Sequence, residues 1–307
     1  MKRRLFTLRL AALVSLCAVP ATSTAALFTG IFAFGDSLTD AGNTSLATGG
    51  ALPGAAYFNG RYSNGPVWVE GLAGHLGLAA PAPSLAGGSD HAWAGAYTQT
   101  GGSVPTIAQQ AAGFVGSGGT FLATDLVVVW GGANDFLLGG QTNPNVPAGN
   151  IAGIISTLAR AGAKTILLPN LPDLGDTPEL LSTGSPAAIL GFSQLSGGFN
   201  ASLYSQIPSL ETSLGIHIVA LDIFSIGKEL KSNPAFGFTN TTQSALLTGN
   251  AANADQFLYW DTVHPTRRVH DIFAVRAYEA LIPEPGTTVI LLLFASGMVF
   301  RRHRTCV

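Results

Sequence analysis

Short apolar runs recur along this chain, and each of them stops at a polar or glycine-rich turn. Four of these runs have the length and composition of buried β-strands: residues 31–34, 125–132, 164–168 and 216–221. Helical patterns begin near Pro66 and cover three later stretches: residues 151–161, 186–213 and 266–281. Because strands that alternate with helices fold into a parallel sheet covered on both faces, we expect one α/β domain, a three-layer α/β/α sandwich.

Two details of this prediction concern the segments between these elements. Ser63 or Asn64 is expected to cap the helix that begins near Pro66. Residues 232–257 are rich in Asn, Thr and Gly, and this composition predicts a lid-like loop.

The first 25 residues have a composition of their own. Lys2, Arg3, Arg4 and Arg9 precede the apolar residues 10–19, and small and polar residues follow up to Ala25. This order predicts a cleaved export signal peptide in residues 1–25. The alternative, an amino-terminal membrane anchor, needs about 20 apolar residues, and the run is roughly half as long.

Residues 283–307 also differ from the rest of the chain. Pro283-Glu284-Pro285 precedes the apolar residues 287–300, and a basic cluster follows from Arg301. Length alone would permit a buried helix, but an apolar segment that ends in arginines favours a short transmembrane segment. The order of features resembles the PEP-CTERM sorting signal of Gram-negative bacteria. The resemblance implies an exported protein that is held transiently at the inner membrane and then processed by an exosortase-type enzyme, reaching the periplasm, outer surface or medium.

Residues 26–282 form the expected domain, and their composition excludes several functions. Both cysteines, Cys17 and Cys306, lie outside these residues, so no disulfide can stabilise the domain. The domain carries 8 basic and 16 acidic residues, a net charge of about −8, which argues against nucleic acid as a partner. It shows no Cys/His cluster with metal spacing, and we expect no metal or organic cofactor.

Polar residues stand where several predicted strands end. A Gly-Asp-Ser turn after the first run leaves the hydroxyl of Ser37 at the carboxyl end of a strand, where ligands bind in parallel sheets. Asn134 follows the second run, Gly95 lies in a loop of small residues, and Asp261 and His264 stand three apart near the last helix. Each of them alone has an ordinary explanation as a cap, a turn residue or a surface pair.

Taken together, these residues meet the requirements of acyl transfer. His264 can act as base toward Ser37 and as acid toward the leaving alcohol, while Asp261 orients the imidazole. The backbone N–H groups of Ser37 and Gly95 and the side-chain amide of Asn134 can form an oxyanion hole.

The chain resembles the GDSL lipases and esterases of the SGNH hydrolase superfamily. Four ordered blocks carry the resemblance: F-G-D-S-L-T-D-A-G-N, D-H-A-W-A-G-A, G-A-N-D and D-T-V-H-P-T. It implies a flavodoxin-like parallel sheet of about five strands, Ser37 as nucleophile, His264 as base and Asp261 as its partner. It further implies an oxyanion hole of Ser37, Gly95 and Asn134.

The second block departs from the family pattern. It begins with Asp90-His91 where the family usually has Asn and an aromatic residue, which leaves open that His91 faces the cleft. Asp36, Asp40 and Asp135 are expected to hold the loops of the site by hydrogen bonds.

We therefore predict a secreted carboxylic ester hydrolase that works through an acyl-enzyme on lipid acyl esters or on acetyl groups of a polysaccharide. Three alternatives remain open at this point. The same residues could transfer the acyl group to an acceptor other than water. The chain could also be an inactive surface or matrix binding protein, or a structural protein of the envelope.

Overall fold

The computed structural model describes residues 27–282. The predicted signal peptide and the PEP-CTERM-like tail lie outside the described residues. The strands are β1 (Gly30–Gly35), β2 (Asp125–Trp130), β3 (Thr165–Pro169), β4 (His217–Leu221), β5 (Asn240–Ser244) and β6 (Phe257–Tyr259). The helices are α1 (Asn43–Ala47), α2 (Trp68–His75), α3 (Ile107–Gly116), α4 (Ala133–Leu137), α5 (Asn145–Arg160), α6 (Pro178–Ser182), α7 (Pro186–Leu214), α8 (Ile223–Ser232) and α9 (Arg267–Leu281).

The main sheet is parallel throughout, in the order β1-β2-β3-β4. Strand β2 lies inside the sheet and is buried along its whole length, as its unbroken apolar run predicts. Successive side chains of β2 point to opposite faces, so Val127 and Val129 enter one core while Leu126 and Val128 enter the other.

Helices cover both faces of this sheet. Ile107 of α3, Ile151 and Ile155 of α5, and Phe199 of α7 pack on the face of Val127. Trp68 of α2 and Phe273 of α9 pack on the opposite face. The predicted three-layer α/β/α sandwich is therefore confirmed. None of the helices in residues 27–282 is both long and apolar enough to cross a membrane.

The number of strands is lower than the predicted five. At the free edge of β1, the fifth strand is reduced to an isolated bridge, in which the N–H of Ala33 donates to the carbonyl of Ser89 and the N–H of His91 to the carbonyl of Ala33. The next N–H of β1 on this edge, that of Gly35, donates to Oε1 of Gln110 at 2.9 Å instead, so the ladder does not continue.

The prediction of a lid-like loop over residues 232–257 is wrong for this structure. Strand β5 in this segment pairs with β6, and Ala245 and Ala254 pack with Phe257 and Trp260 in a small separate core. None of residues 232–257 lines the cleft described below. The polar composition reflects the exposure of β5, where Thr242 and Gln243 are exposed, whereas Phe257 and Leu258 of β6 are both buried.

Candidate active site

Ser37 lies in a tight turn directly after β1. The N–H groups of Thr39 and Asp40 both donate to the carbonyl of Asp36 at 3.0 Å, which folds the chain back after Ser37. The backbone of Gly35 lies so close to β2 that a Cβ atom there would stand 2.5 Å from the carbonyl oxygen of Trp130. Only glycine fits this close to the backbone of β2. Because Gly35 is the last residue of β1, the turn with Ser37 lies at the carboxyl edge of the sheet.

The segment of Asp261 and His264 forms a second turn, between β6 and α9. The N–H groups of Val263 and His264 donate to Oδ1 of Asp261 at 2.9 and 2.7 Å, so the carboxylate closes its own turn. Oδ2 of Asp261 lies 2.6 Å from Nδ1 of His264. Nε2 of His264 lies 2.8 Å from Oγ of Ser37. A hydroxyl, an imidazole and a carboxylate thus stand in series, although Ser37 and His264 are 227 residues apart.

The other two predicted site residues line the same cleft as Ser37. Gly95 has a φ angle of +79°, a conformation that favours glycine. Asn134 lies in the first turn of α4, and its Nδ2 donates to the carbonyl of Ala96 at 3.0 Å. The structure therefore brings Ser37, Gly95 and Asn134 to one cleft, where amide donors could face an oxyanion.

Burial and hydrogen bonds give the carboxyl groups of the site different acidities. Burial alone would raise the pKa of Asp261, but the charge and hydrogen bond of His264 and the two backbone N–H groups outweigh it and hold this pKa below its usual value. Burial raises the pKa of Asp36 to about 6, although the N–H of Leu38 donates to its carboxyl group at 3.1 Å. Asp261 is consequently ionised at neutral pH, while Asp36 titrates near pH 6.

The three acidic neighbours hold the loops of the site, as predicted. The Asp40 carboxyl group accepts from the N–H of Gly42 and Asn43 at 2.8 and 2.6 Å and also from Ala94, in the segment that carries Gly95. The Asp135 carboxyl group accepts from the N–H and hydroxyl of Thr98 at 3.0 and 2.6 Å.

The suggestion that His91 faces the cleft is wrong. Its ring stacks on Phe34, with centroids 4.9 Å apart and an angle of 4° between the planes, and it also contacts Phe114. Burial lowers the pKa of His91 to about 4, which keeps the ring neutral and suits its apolar surroundings.

The cleft beside Ser37 is mainly apolar and has a volume of about 330 Å³. Its apolar lining includes Leu38, Trp130, Leu137, Leu138, Leu174, Phe224, Leu230, Leu258, Val263, Val269 and Phe273. Charged side chains form another part of the wall, where Nζ of Lys228 lies 2.6 Å from Asp173 and 2.7 Å from Asp176, and Nζ of Lys231 lies 2.6 Å from Asp176. Because these charges neutralise one another, the cleft suits an apolar group better than an ion.

Sequence reasoning missed the residues that hold the turn of Asp261 and His264 in place. Ser63 and Asn64 do not cap α2; the Ser63 hydroxyl donates to the carbonyl of Pro265 at 2.9 Å, and Oδ1 of Asn64 accepts from the N–H of Arg267 at 2.7 Å. The Tyr57 hydroxyl donates to Oδ2 of Asp261 at 2.8 Å. All three belong to residues 57–64, a stretch in which no local pattern indicates their distant partners.

No group of three or more His, Cys, Asp or Glu side chains between residues 27 and 282 is arranged to hold a metal ion.

This α/β/α domain holds a serine, a histidine and an aspartate in series at the carboxyl edge of its sheet, the groups that acyl transfer through a serine requires. The sequence model of the GDSL-like Lipase/Acylhydrolase family matches residues 31–277. The chain therefore belongs to the GDSL lipase/acylhydrolase family, and it is an enzyme that hydrolyses carboxylic ester bonds.

Similar proteins come from bacteria and plants. A phosphatidylcholine-sterol acyltransferase of Aeromonas hydrophila is 29% identical over 330 residues, covering 89% of this chain and 93% of that protein. A GDSL esterase/lipase of Arabidopsis thaliana is 28% identical over 313 residues, covering 81% of each chain. Among solved structures, a carbohydrate acetylesterase from Sinorhizobium meliloti has 16% identity and a TM-score of 0.46, covering 86% of this chain and 99% of that one.

Proposed function

We propose that this chain is an exported serine carboxylic ester hydrolase that works through an acyl-enzyme on Ser37. The observation that carries the proposal is the unbroken hydrogen-bond series from Ser37 Oγ to His264 Nε2, at 2.8 Å, and from His264 Nδ1 to Asp261 Oδ2, at 2.6 Å. A serine hydroxyl is a weak nucleophile until a base can take its proton, and this series supplies the base and the group that orients it.

The reaction proceeds in two halves. As Ser37 Oγ attacks the carbonyl carbon of the ester, His264 Nε2 takes the hydroxyl proton, and Asp261 stabilises the resulting imidazolium. The N–H groups of Ser37 and Gly95 and the amide of Asn134 donate to the oxyanion. His264 then protonates the leaving alcohol as its bond to the acyl carbon breaks. In the second half, His264 takes a proton from the water that attacks the acyl carbon and returns it to Ser37 Oγ as the bond from Oγ to the acyl group breaks and the acid leaves.

We propose acyl esters with an apolar acyl chain as substrates. The apolar wall of the cleft supports this, because an acyl chain bound against it is removed from water. Each Å² of apolar surface buried in this way contributes about 25 cal/mol of binding free energy. An acetyl group would leave most of that wall uncovered. A panel of p-nitrophenyl esters from acetate to long acyl chains, with acetylated polysaccharides included, decides between the two substrate classes. Preference for acetate would contradict this part of the proposal.

The proposed location rests on the two ends of the sequence. Residues 1–25 direct export, and residues 283–307 hold the protein transiently at the inner membrane of a Gram-negative bacterium until an exosortase-type enzyme processes it near Pro283. Mass spectrometry of the secreted protein tests this. A mature chain that still contains residues 1–25 or 287–300 would contradict it.

The catalytic role of Ser37 is tested by substitution and by labelling. We expect Ser37→Ala to lower kcat by about 10⁴-fold or more and to abolish labelling by a fluorophosphonate. Ser205→Ala, a change on the exposed face of α7, is the matched control and should leave both readouts unchanged. Equal hydrolysis by the wild type and Ser37→Ala would refute the mechanism, and an unlabelled wild type would favour an inactive binding protein.

Acyl transfer to an alcohol is a second candidate function. It is favoured by the likeness to the Aeromonas hydrophila phosphatidylcholine-sterol acyltransferase, which extends over 89% of this chain. Adding a long-chain alcohol or a sterol to the assay distinguishes the two reactions. A new ester product would show transfer, whereas release of free acid alone would show hydrolysis.

A further inference from the structure

Asp261 accepts hydrogen bonds from two parts of the chain. Its Oδ1 accepts from the backbone N–H groups of Val263 and His264, within its own turn. Its Oδ2 accepts from Nδ1 of His264 at 2.6 Å and from the hydroxyl of Tyr57 at 2.8 Å, and Tyr57 is 204 residues away in the sequence. The oxygen that contacts the imidazole is thus shared with a phenol from another loop.

We infer that Tyr57 is a positioning residue of this enzyme, whose hydroxyl fixes the Asp261 carboxylate in the orientation that His264 requires. The inference rests on the proposed roles of Ser37, His264 and Asp261. A carboxylate can turn about its Cβ–Cγ bond, and a second donor on Oδ2 limits that rotation. The same donor also reduces the negative charge that Oδ2 of Asp261 presents to the imidazolium of His264.

The surroundings of Tyr57 keep its hydroxyl in place. Its ring lies 5.9 Å from the ring of Tyr62 and 6.3 Å from that of Trp260, at 85° to the latter. Neighbouring residues of the same loop are fastened to the turn of Asp261 through the Ser63 and Asn64 hydrogen bonds. Two long-range hydrogen bonds beside the phenol therefore hold the loop while the phenol itself contacts Asp261.

The phenol remains a donor over the working range of the enzyme. Burial, and then the negative charge of Asp261, raise the pKa of Tyr57 above its usual value, so the hydroxyl keeps its proton. Other titratable groups that interact with His264 or Asp261 are Asp36, Tyr62 and His270. These groups are unchanged in the variants compared below, so a change in the pH profile reports on the Tyr57 hydroxyl.

The first experiment removes this hydroxyl alone. For purified Tyr57→Phe we expect kcat for p-nitrophenyl butyrate to fall about three- to tenfold, the effect of one lost hydrogen bond, with KM nearly unchanged. The acid limb of the kcat/KM profile should move to higher pH, because a less dispersed carboxylate charge favours the protonated imidazole. Tyr278→Phe, which removes a hydroxyl on α9 beside His75, is the matched control and should change neither quantity.

A double-mutant cycle shows whether Tyr57 acts through Asp261. In an Asp261→Asn background, Tyr57→Phe should lower kcat by less than about twofold, because the oriented carboxylate is already lost. An equal fold-loss in both backgrounds would overturn the inference. So would a Tyr57→Phe protein with wild-type kcat and pH profile. Thermal unfolding of each variant identifies losses that come from misfolding.

A third measurement does not depend on turnover. The imidazole Nδ1–H proton, which lies between His264 and Asp261, should give a low-field NMR resonance that moves in Tyr57→Phe and stays in place in Tyr278→Phe. This resonance comes only from folded molecules, so partial unfolding of Tyr57→Phe would not disturb its position. An unmoved resonance in Tyr57→Phe would therefore contradict the inference. If Ser37→Ala were fully active, the proposed function would fail; if only the Tyr57 variants behaved as wild type, this inference alone would fail.

Discussion

The two sides of the candidate active site are built differently. The nucleophile side comprises residues 35–44, 90–96 and 131–135, and its polar side chains Asp40, Asn43 and Asp90 are fully buried. The acid–base side comprises residues 57–64 and 259–267. There, Asp261 and His264 keep side-chain exposures of 13% and 14%, and Phe58 is 38% exposed.

This difference separates stability from catalysis. On the nucleophile side, the buried hydrogen bonds that place Ser37 are part of the protein interior, so damage there should appear first as a loss of stability. On the acid–base side, most of the hydrogen bonds that place His264 are only partly buried, so damage there should appear mainly as a loss of rate. Four substitutions test this contrast.

The largest effect is expected from Asp40→Ala. The Asp40 carboxyl group accepts from three backbone N–H groups within 3.0 Å, those of Gly42, Asn43 and Ala94, and from the Thr44 hydroxyl. Truncation leaves the N–H groups of Gly42 and Asn43 without an acceptor, while that of Ala94 keeps the Thr44 hydroxyl at 2.9 Å. The loss should lower the free energy of unfolding by about 3 to 5 kcal/mol. Urea-induced unfolding measures this. A loss below about 1 kcal/mol would show that the nucleophile side does not depend on this buried network.

Asn134→Ala is an expected exception to the contrast, because it should lower the rate strongly although Asn134 lies on the nucleophile side. Asn134 belongs with the nucleophile side of the cleft but is only partly buried, and its one side-chain hydrogen bond in residues 27–282 joins Nδ2 to Ala96. If it donates to the oxyanion, its removal should raise the activation free energy by about 3 kcal/mol, a 10²- to 10³-fold loss of kcat. Stability should fall by no more than about 1 kcal/mol. Single-turnover kinetics and urea unfolding give the two numbers, and an unchanged kcat would remove Asn134 from the oxyanion hole.

Asp36→Asn tests how much the burial of the ionised Asp36 carboxylate lowers the stability of the protein. Burial raises the pKa of Asp36 from 3.8 to about 6, so between these two values the folded state binds more protons than the unfolded state. This carboxyl group therefore lowers the stability of the wild type as the pH rises from about 4 to about 6. Asn carries no charge, so we expect the variant to gain about 2 kcal/mol over the wild type at pH 8 and much less at pH 4.5. A difference independent of pH would contradict the assignment.

Much of the nucleophile side could be predicted from the sequence. Buried parallel strands have unbroken β-branched runs, so β2 and the polar residues after it stand out, and Ser37 follows β1 in the same way. The four family blocks then identify Ser37, Gly95 and Asn134 from the sequence alone, without the distances between them. The structure brings these three residues to one cleft because parallel strands expose their carboxyl ends at one edge.

The supports of the acid–base side could not be predicted in this way. The cap prediction for Ser63 and Asn64 considered only near neighbours, whereas their partners lie 202 and 203 residues away. Local patterns carry no information about such partners. The polar composition of residues 232–257 was equally ambiguous, because an exposed loop and the outer face of a two-stranded sheet select the same residue types.

The smallest effect is expected from Ser63→Ala, which tests the acid–base side directly. The Ser63 side chain is fully buried and donates to the carbonyl of Pro265, directly after His264. Losing this hydrogen bond should cost about 1 kcal/mol of stability. If the bond also positions the imidazole, kcat should fall about three- to fivefold while KM stays near the wild-type value.

Ser117→Ala is the control for this prediction. It removes an exposed hydroxyl that donates at 2.8 Å to a carbonyl at the end of α3, and it should change stability by less than about 0.5 kcal/mol with no kinetic effect. A stability loss in Ser63→Ala with an unchanged kcat would mean that this hydrogen bond holds the turn together without setting the position of His264, and the contrast between the two sides would then disappear.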